Sequence, residues 1–264
     1  MELPKLLRSP FRQASPQAGG RFAQWLTSEP GQSLLTDQQQ LLAAILPRFA
    51  GFDALQCSVA AAQAPLLQHS RMSRQLYLSS VAPSDCDQLW VRGSLQQLPV
   101  ASRSQDLLLL HHSLDFESDP HQALREAARV LVPGGALVVV GFNPWSLWGI
   151  RRFWPYNANQ SPWDARFLPA HRLHDWLSVL GLELEGFESV HFALPWSTSG
   201  DRHWLGQLGA RWWPKRGASY VLVARKQALM LRARPLQQPV RAQIIPVPAA
   251  QWRQRRQSWD ISDS

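Results

Sequence analysis

Two adjacent histidines, His111 and His112, follow the apolar run QDLLLL. Imidazole is the side chain that exchanges a proton near neutral pH, so a histidine at the end of a strand is a candidate general base. Asp115 follows three residues later and could orient one of them or simply solvate the loop. In the competing interpretation one histidine packs against a neighbour and the other only borders a pocket. We predict His111 and His112 as the catalytic residues.

A loop rich in polar and aromatic residues, GFNPWSLWGIRR, follows a second apolar run, ALVVV. Asn143 offers both a donor and an acceptor. Trp145 and Trp148 lie three residues apart, so on a short helix they would share a face. Aromatic walls around one amide suit a planar or hydrophobic ligand, and we predict these three residues as the substrate-binding set. The alternative is that the tryptophans only cover a sheet.

The two apolar runs have the pattern of neighbouring parallel strands joined by a helix. Asp119 can cap that helix, Pro120 suits its first position, and Gln122 completes a capping box. An apolar stripe follows at helical spacing, and a Pro-Gly-Gly turn ends the helix. Because ligands of open α/β sheets bind at the carboxyl ends of the strands, the histidines and the Asn143 loop are predicted to meet at one edge.

Further segments complete an α/β domain predicted over residues 21–225, between a flexible stretch 1–20 and a basic disordered tail 226–264. Helices are predicted at RFAQWL, at residues 36–46 and from near Pro169 to Gly181. The remaining predicted strands are FDALQCSVA, RQLYLSS, DQLWVRG, LELEGFESVHFAL and SYVLVARK.

The net charge of +8 is uneven, because the residues from Lys226 onward hold seven Lys/Arg and two Asp. The tail sequence WRQRRQSW places arginines between aromatics, which would suit nucleic acid, although short basic tails are more often merely solvated. Apart from the tail, an amphipathic patch follows the second apolar run and would suit peripheral contact with a membrane surface. Its residues are Arg151, Arg152, Trp154 and Tyr156.

The cysteines, Cys57 and Cys86, form neither a disulfide framework nor a zinc cluster, so no metal site is predicted. A reducing, cytoplasmic setting is the simplest interpretation. No apolar run approaches the ~18 residues of a membrane span, and no signal peptide is predicted.

Residues 90–152 resemble the class I S-adenosylmethionine-dependent methyltransferases of the type 11 group. The resemblance rests on Leu98-Pro99, Asp106, His111-His112, Arg125-Glu126, Arg129-Val130-Leu131 and Pro133-Gly134-Gly135, in that order. It implies a three-layer, Rossmann-like fold with a mostly parallel sheet and an antiparallel end pair. It also implies methyl transfer from S-adenosylmethionine to a small or hydrophobic acceptor.

The cofactor landmarks of that group are altered in this chain. Its glycine-rich loop, which lets the backbone approach the methionine part of the cofactor, corresponds to the glycine-free ALQCSVAAAQAPLL. Its two acidic positions correspond to Ser79 or Ser80 and to Ser94. The cofactor-binding residues that the resemblance implies are Gln56, Cys57, Ser58, Ala60, Ser79, Ser94 and Leu95.

Two functions remain open from the sequence. In the first, compact residues and serine hydroxyls still bind S-adenosylmethionine, more weakly than acids would. In the second, the fold is a non-catalytic binding or scaffold protein without a cofactor. An open cavity at residues 57–61 favours the first, whereas a cavity filled by Leu55, Leu66 or Leu67 favours the second. A dinucleotide oxidoreductase is disfavoured because no Gly-x-Gly-x-x-Gly is present.

Overall fold

A computed structural model describes residues 18–59, 65–79, 89–151, 161–192 and 216–228. The predictions for Ala60, Ser80, the tail and most of the amphipathic patch lie outside these residues. The helices are α1 (Ala18–Leu26), α2 (Glu29–Ile45), α3 (Ser113–Phe116), α4 (Pro120–Val130), α5 (Leu147–Arg151) and α6 (Ala170–Val179). The strands are β1 (Ala50–Ser58), β2 (Arg71–Ser79), β3 (Trp90–Arg92), β4 (Gln105–His111), β5 (Leu131–Phe142), β6 (Leu182–Val190) and β7 (Ser219–Lys226).

The strands form one seven-stranded sheet in the order β3-β2-β1-β4-β5-β7-β6. Strands β1 to β5 are parallel to one another, and β7 pairs antiparallel with both β5 and β6. This confirms the predicted Rossmann-like α/β class with its antiparallel end pair. The strand order reverses between β1 and β4, and that switch point is where open α/β sheets bind ligands.

Helices cover both faces of the sheet because successive strand residues point to opposite sides. Leu108 and Leu110 of β4 pack into a cluster with α4 and α6. Leu107 and Leu109 pack into a second cluster with α2. A third, aromatic cluster contains Phe22 of α1 and lies outside these two.

The βαβ unit follows its sequence signals closely. The Asp119 side chain accepts a hydrogen bond from the Gln122 backbone N–H at 3.1 Å, as a cap should. The predicted Pro-Gly-Gly turn is wrong, because α4 ends at Val130 and β5 begins at Leu131; Gly134 lies inside β5 at φ +84°, a conformation that a side chain disfavours. The Glu126 carboxylate accepts a hydrogen bond from the Leu98 backbone N–H at 3.0 Å, and the Arg129 guanidinium donates one to the Leu98 C=O at 3.0 Å. The motif residues Leu98, Glu126 and Arg129 are therefore hydrogen-bonded to one another.

Two helix boundaries differ from the prediction. Helix α2 begins at Glu29, seven residues before the predicted start, because Ser28 and Pro30 supply an N-cap position and a proline in the first turn. Helix α1 begins at Ala18, inside the stretch predicted to be flexible, and Ala18 is fully buried there.

The connection from β1 to β2 is much shorter than the one from β4 to β5. Only twelve residues separate Ser58 from Arg71, and the described part forms a 3-10 turn, Leu66–His69. Helix α2, which precedes β1, covers this part of the sheet instead. Among the helices of the described residues, none has the length and apolar character needed to span a membrane.

Candidate functional site

A cavity of about 450 Å³ lies at the carboxyl ends of the first four strands. That volume is within the range of small-molecule sites, ~300–1,000 Å³. The cavity is lined by Gly19, Ser58, Val59, Leu78, Ser79, Arg92, Gly93, Ser94, Leu95, Ser113, Phe116 and Glu117. It therefore occupies the switch point between β1 and β4, where the topology places a ligand.

Four serines contribute to the polar wall of this cavity, together with Arg92 and Glu117. Ser58 ends β1, Ser79 ends β2, Ser94 follows β3 and Ser113 follows β4. A serine thus lies at or just after the carboxyl end of each of the strands β1 to β4, at the same edge of the sheet.

Ser113 lines the cavity, and its buried hydroxyl has no hydrogen-bond partner within the described residues. Ser113 is only 2% exposed, and it follows His112, whose left-handed backbone (φ 51°) turns the chain from β4 into α3. A buried polar group without a partner is unfavourable, and native proteins usually satisfy it. A ligand in the cavity is the natural partner for this hydroxyl.

Four of the predicted cofactor residues line the cavity together: Ser58, Ser79, Ser94 and Leu95. Gln56 and Cys57 do not. The Gln56 side chain accepts a hydrogen bond from the Leu66 backbone N–H at 3.0 Å and so holds the turn before β2. Burial raises the pKa of the Cys57 thiol far above its usual range, which keeps the thiol protonated within the core.

Sequence reasoning missed several residues of the cavity wall. Gly19 comes from α1, and a Cβ added there would lie 2.8 Å from Val59. Arg92 and Phe116 also line the cavity, and neither carried a motif signal. Ser113 had a usable signal, because it directly follows the histidines at the end of β4.

His111 and His112 are both completely buried, and neither is among the residues that line the cavity. The His112 Nδ1 lies 2.8 Å from an Asp115 carboxylate oxygen. Burial lowers the pKa of His112 to about 3, and burial together with the neighbouring His112 lowers the pKa of His111 well below its usual range. Both rings are therefore neutral near pH 7. Their catalytic role stays a prediction, and Ser58 separates His111 from the cavity.

The predicted substrate-binding residues lie in the loop after β5. The Asn143 amide donates to the Gly217 C=O at 3.1 Å and accepts from the Trp145 backbone N–H at 3.0 Å. The predicted shared helical face is wrong, because Trp145 precedes α5 and is 67% exposed, whereas Trp148 is only 2% exposed. Trp148 packs on Trp25 of α1, so of these two tryptophans only Trp145 presents an aromatic surface to solvent.

A row of aromatic rings joins this loop to the cavity. The ring centroid of Phe116, in the cavity wall, lies 4.9 Å from that of Phe22. The Phe22 ring stacks on Trp25 with a centroid distance of 5.8 Å. Trp25 meets Trp148 edge-on at 5.7 Å. Phe22 of α1 thus contacts the cavity wall, and Trp25 of the same helix contacts the loop after β5.

The family model described as a methyltransferase domain matches residues 19–139. This segment contains every residue that lines the cavity.

Several relatives match the chain at the sequence level, including the following two. YafS from Escherichia coli K12 is 40% identical over 141 residues, which are 53% of this chain and 56% of YafS. The ubiquinone/menaquinone biosynthesis C-methyltransferase UbiE from Cereibacter sphaeroides is 31% identical over 141 residues, 49% of this chain and 51% of UbiE. The matched segments therefore span about half the length of these relatives.

A solved structure from Thermotoga maritima, a SAM-dependent methyltransferase described as a possible histamine N-methyltransferase, has a similar fold. The TM-score is 0.57 at 20% identity, over 79% of this chain and 99% of that one. At this identity the likeness concerns the fold alone.

Proposed function

We propose that this chain, whose residues 19–139 match the methyltransferase domain family model, is a class I methyltransferase that binds S-adenosylmethionine in the cavity and transfers the methyl group to a small or hydrophobic acceptor. The cavity is formed by the matched domain itself and lies at the carboxyl edge of its parallel strands. The altered landmarks become serine contacts in this proposal, and they do not close the site.

The observation that carries the proposal is Ser113, a cavity-lining residue whose buried hydroxyl has no hydrogen-bond partner within the described residues. The cofactor is rich in hydroxyl, amine and carboxylate groups, which are the partners that such a wall lacks. The residues present therefore fit the group: Ser58, Ser79, Ser94 and Ser113 would hydrogen-bond it, and Leu78 and Leu95 would contact its apolar surface.

The cofactor would supply a methyl group activated on a sulfonium. The protein then needs only to align the acceptor and to exclude water. Phe116, which packs on the buried Phe22, provides an apolar part of the cavity wall at the carboxyl end of β4 for that purpose. An acceptor that is already deprotonated at the acceptor atom reacts without a base, whereas a neutral phenol or quinol releases one proton for each methyl group that it gains.

The two histidines enter this proposal as positioning residues. The Ser58 hydroxyl lies 3.2 Å from the His111 Nδ1 and is the link between the histidines and the cavity. Their lowered pKa values make them weak bases near neutral pH. An acceptor whose proton must leave would instead need a base of its own or a route through Ser58.

A hydrophobic acceptor is favoured by the surface around α5. Trp145, Leu147 and Ile150 are each at least half exposed although they are large and apolar. Such a cluster suits a planar or lipid-like compound. UbiE is named for a step of quinone biosynthesis, and a similar class of acceptor is proposed for this chain.

The non-catalytic scaffold is the less favoured function. It would be supported if Leu55, Leu66 or Leu67 filled the cavity. Leu66 and Leu67 instead pack in the cluster beneath α2, and Leu55 packs in the cluster beneath α4. The space beside Ser58 and Val59 is open.

The acceptor class can be tested with S-adenosylmethionine labelled in its methyl group. The full chain would be incubated with planar phenols and quinols, with acyl compounds, and with polar amines. We expect label in the planar or acyl compounds, with a KM that Trp145→Ala raises severalfold. Val179→Ala, which changes another exposed apolar residue, is the matched control and should leave KM unchanged. Transfer only to polar amines would overturn the acceptor class.

A further inference from the structure

Arg92, at the end of β3, is the cationic residue among the described residues that line the cavity. It is exposed, and within the described part of the chain its guanidinium takes part in no hydrogen bond or ion pair. A guanidinium has five N–H donors and no acceptor. Its donors and its charge are therefore available to a ligand.

Ser94, two residues later, adds a second donor to the lining. Its hydroxyl oxygen accepts a hydrogen bond from the Gln96 backbone N–H at 3.2 Å, while its hydroxyl hydrogen has no acceptor in the described ranges. Arg92 and Ser94 can thus both donate to one ligand. Such a pair suits a group that only accepts and is negatively charged, as a phosphate is.

The backbone that carries these two donors is held against β2. Arg92 is the register partner of Ser79, and the Gly93 N–H donates to the Ser79 C=O at 3.4 Å. A Cβ added to Gly93 would lie 3.0 Å from Leu78 Cδ1 and 3.1 Å from Pro99 Cδ. The segment is therefore closely packed, and both donors leave the main chain beside the carboxyl end of β2.

The carboxylate among the described lining residues, Glu117, does not neutralise Arg92. Its Oε1 accepts hydrogen bonds from the Gln96 side chain at 2.8 Å and from the Ser118 backbone N–H at 3.0 Å. No ion pair joins Glu117 to Arg92 in the part of the molecule that the structure describes. The charge of Arg92 would therefore attract an anion to this edge of the cavity.

The position of Arg92 in the sheet indicates which anion would fit. In doubly wound sheets that bind nucleotides, an acid near the end of the second strand bonds the ribose hydroxyls, whereas an arginine there accommodates a ribose phosphate. This chain has Ser79 at the end of β2 and Arg92 beside it on β3. A hydroxyl with a neighbouring cation matches the second arrangement.

We propose that Arg92 and Ser94 form an anion subsite, which binds the phosphate of a nucleoside phosphorylated on its ribose. The inference rests on the proposed function, because the nucleoside is the part of S-adenosylmethionine that such a ligand shares. A ribose-phosphorylated adenosine then competes with S-adenosylmethionine for the cavity. Methyl transfer therefore falls as the concentration of that nucleotide rises.

Calorimetric titration of the full chain compares adenosine with adenosine 2′-phosphate and adenosine 3′-phosphate, and S-adenosylhomocysteine reports on the cofactor site. Arg92→Gln removes the cation. Ser94→Asp places a carboxylate near Arg92, which should pair with it and repel a phosphate. Arg71→Gln is the matched control, because Arg71 is also an exposed arginine but begins β2 and is not among the residues that line the cavity.

We expect one of the two phosphates to bind the unmodified protein about tenfold more tightly than adenosine at low ionic strength, as for a charge-assisted hydrogen bond. Arg92→Gln and Ser94→Asp should abolish this preference, and Arg71→Gln should retain it. Added salt should reduce the preference, because the Arg92 side chain is exposed. The preferred phosphate should also raise the apparent Kd of S-adenosylhomocysteine.

Equal binding of adenosine and both phosphates by the unmodified protein would overturn the subsite, as would phosphate binding that does not compete with S-adenosylhomocysteine. A preference that persists in Arg92→Gln would overturn the assignment to Arg92. Binding of S-adenosylhomocysteine without any phosphate preference would overturn this inference and leave the proposed function standing. Phosphate preference without binding of S-adenosylhomocysteine would support the subsite and overturn the proposed function.

Discussion

Strands β4 and β5 are joined through the full helix α4, whereas β1 and β2 are joined through twelve residues whose described part is a single 3-10 turn. The first region holds most of the motif residues, and they brace one another: Glu126 and Arg129 bond each other and the Leu98 backbone. The second region supplies Ser58 and Ser79 to the cavity. The motif residues that carry the family resemblance thus lie mostly in one region, whereas Ser58 and Ser79, which would contact the ligand, lie in the other.

The difference explains how the cofactor landmarks can change while the fold persists. The β4–α4–β5 region is a closed packing unit, in which a change leaves a cavity or an unpaired group. At the carboxyl edge of β1 and β2, Ser58 and Ser79 line the cavity, so a change there alters the cavity wall and not the apolar core. The comparison predicts that substitutions in the two regions affect different measurements.

The largest effect is expected from Leu124→Ala in α4. Leu124 is fully buried in the cluster beneath this helix, so truncation leaves a void and should lower the free energy of unfolding by ~2–5 kcal/mol. Urea denaturation measures the loss. Ligand affinity below the transition should stay close to that of the unmodified protein, and a large loss of affinity would contradict the separation of the two regions.

The buried histidines should make stability fall in acid. Burial lowers the pKa of His111 and His112, so the unfolded chain binds protons that the folded chain does not. Their contribution is fully present above pH ~6.5 and is lost as pH falls from 6.5 toward 3. Each ring should add a slope of about 1 kcal/mol per pH unit. Denaturation of His111→Asn across this window should show a shallower slope, and an unchanged slope would contradict the assignment.

Ser113→Ala should lower ligand affinity without lowering stability. It removes a hydroxyl that has no partner in the described residues, so unfolding should be unchanged or slightly less favourable. Affinity for S-adenosylhomocysteine should fall about five- to tenfold, equivalent to ~1 kcal/mol. Isothermal titration and denaturation on the same sample separate the two effects. A destabilised variant with normal affinity would show that Ser113 is structural.

Asp119→Ala should give the opposite result. Loss of its bond to the Gln122 N–H should destabilise α4 by ~0.5–2 kcal/mol. Affinity for S-adenosylhomocysteine should stay unchanged, because Asp119 is not among the residues that line the cavity. Thermal denaturation and titration together check this, and a parallel drop in affinity would link the two regions.

The smallest effect is expected from Arg74→Ala. Arg74 pairs with Asp53 at 2.6 Å between β1 and β2, but the arginine side chain is 74% exposed. Exposed pairs contribute ~0–1 kcal/mol, so the shift should be barely measurable and should shrink further in salt. A loss comparable to that of Asp119→Ala would show that this part of the sheet is packed more tightly than its connections suggest.

The sequence allowed the βαβ unit to be predicted well because its signals are local. A capping aspartate, a proline at the first position and an apolar stripe specify α4, and SYVLVARK matches the bounds of β7. The start of α2 was missed, although Ser28 and Pro30 carried a usable signal. Local patterns therefore gave the elements and their order.

The site was predicted only in part, because its geometry depends on long-range contacts. Ser58 and Ser79 were found through the family resemblance. Gln38 contacts His111, 73 residues away, and no local pattern indicates that contact. The burial of Trp148 likewise results from packing against Trp25, far away in the chain.

The central claim is that the altered landmarks still bind the cofactor, and calorimetric titration of the full chain with S-adenosylmethionine tests it most directly. We predict saturable one-site binding in the micromolar range, weakened by Ser113→Ala and unchanged by Asp119→Ala. A ligand at 100 times its dissociation constant should also stabilise the fold by ~2.7 kcal/mol. No binding at millimolar ligand by a folded protein would contradict the claim and favour the scaffold function.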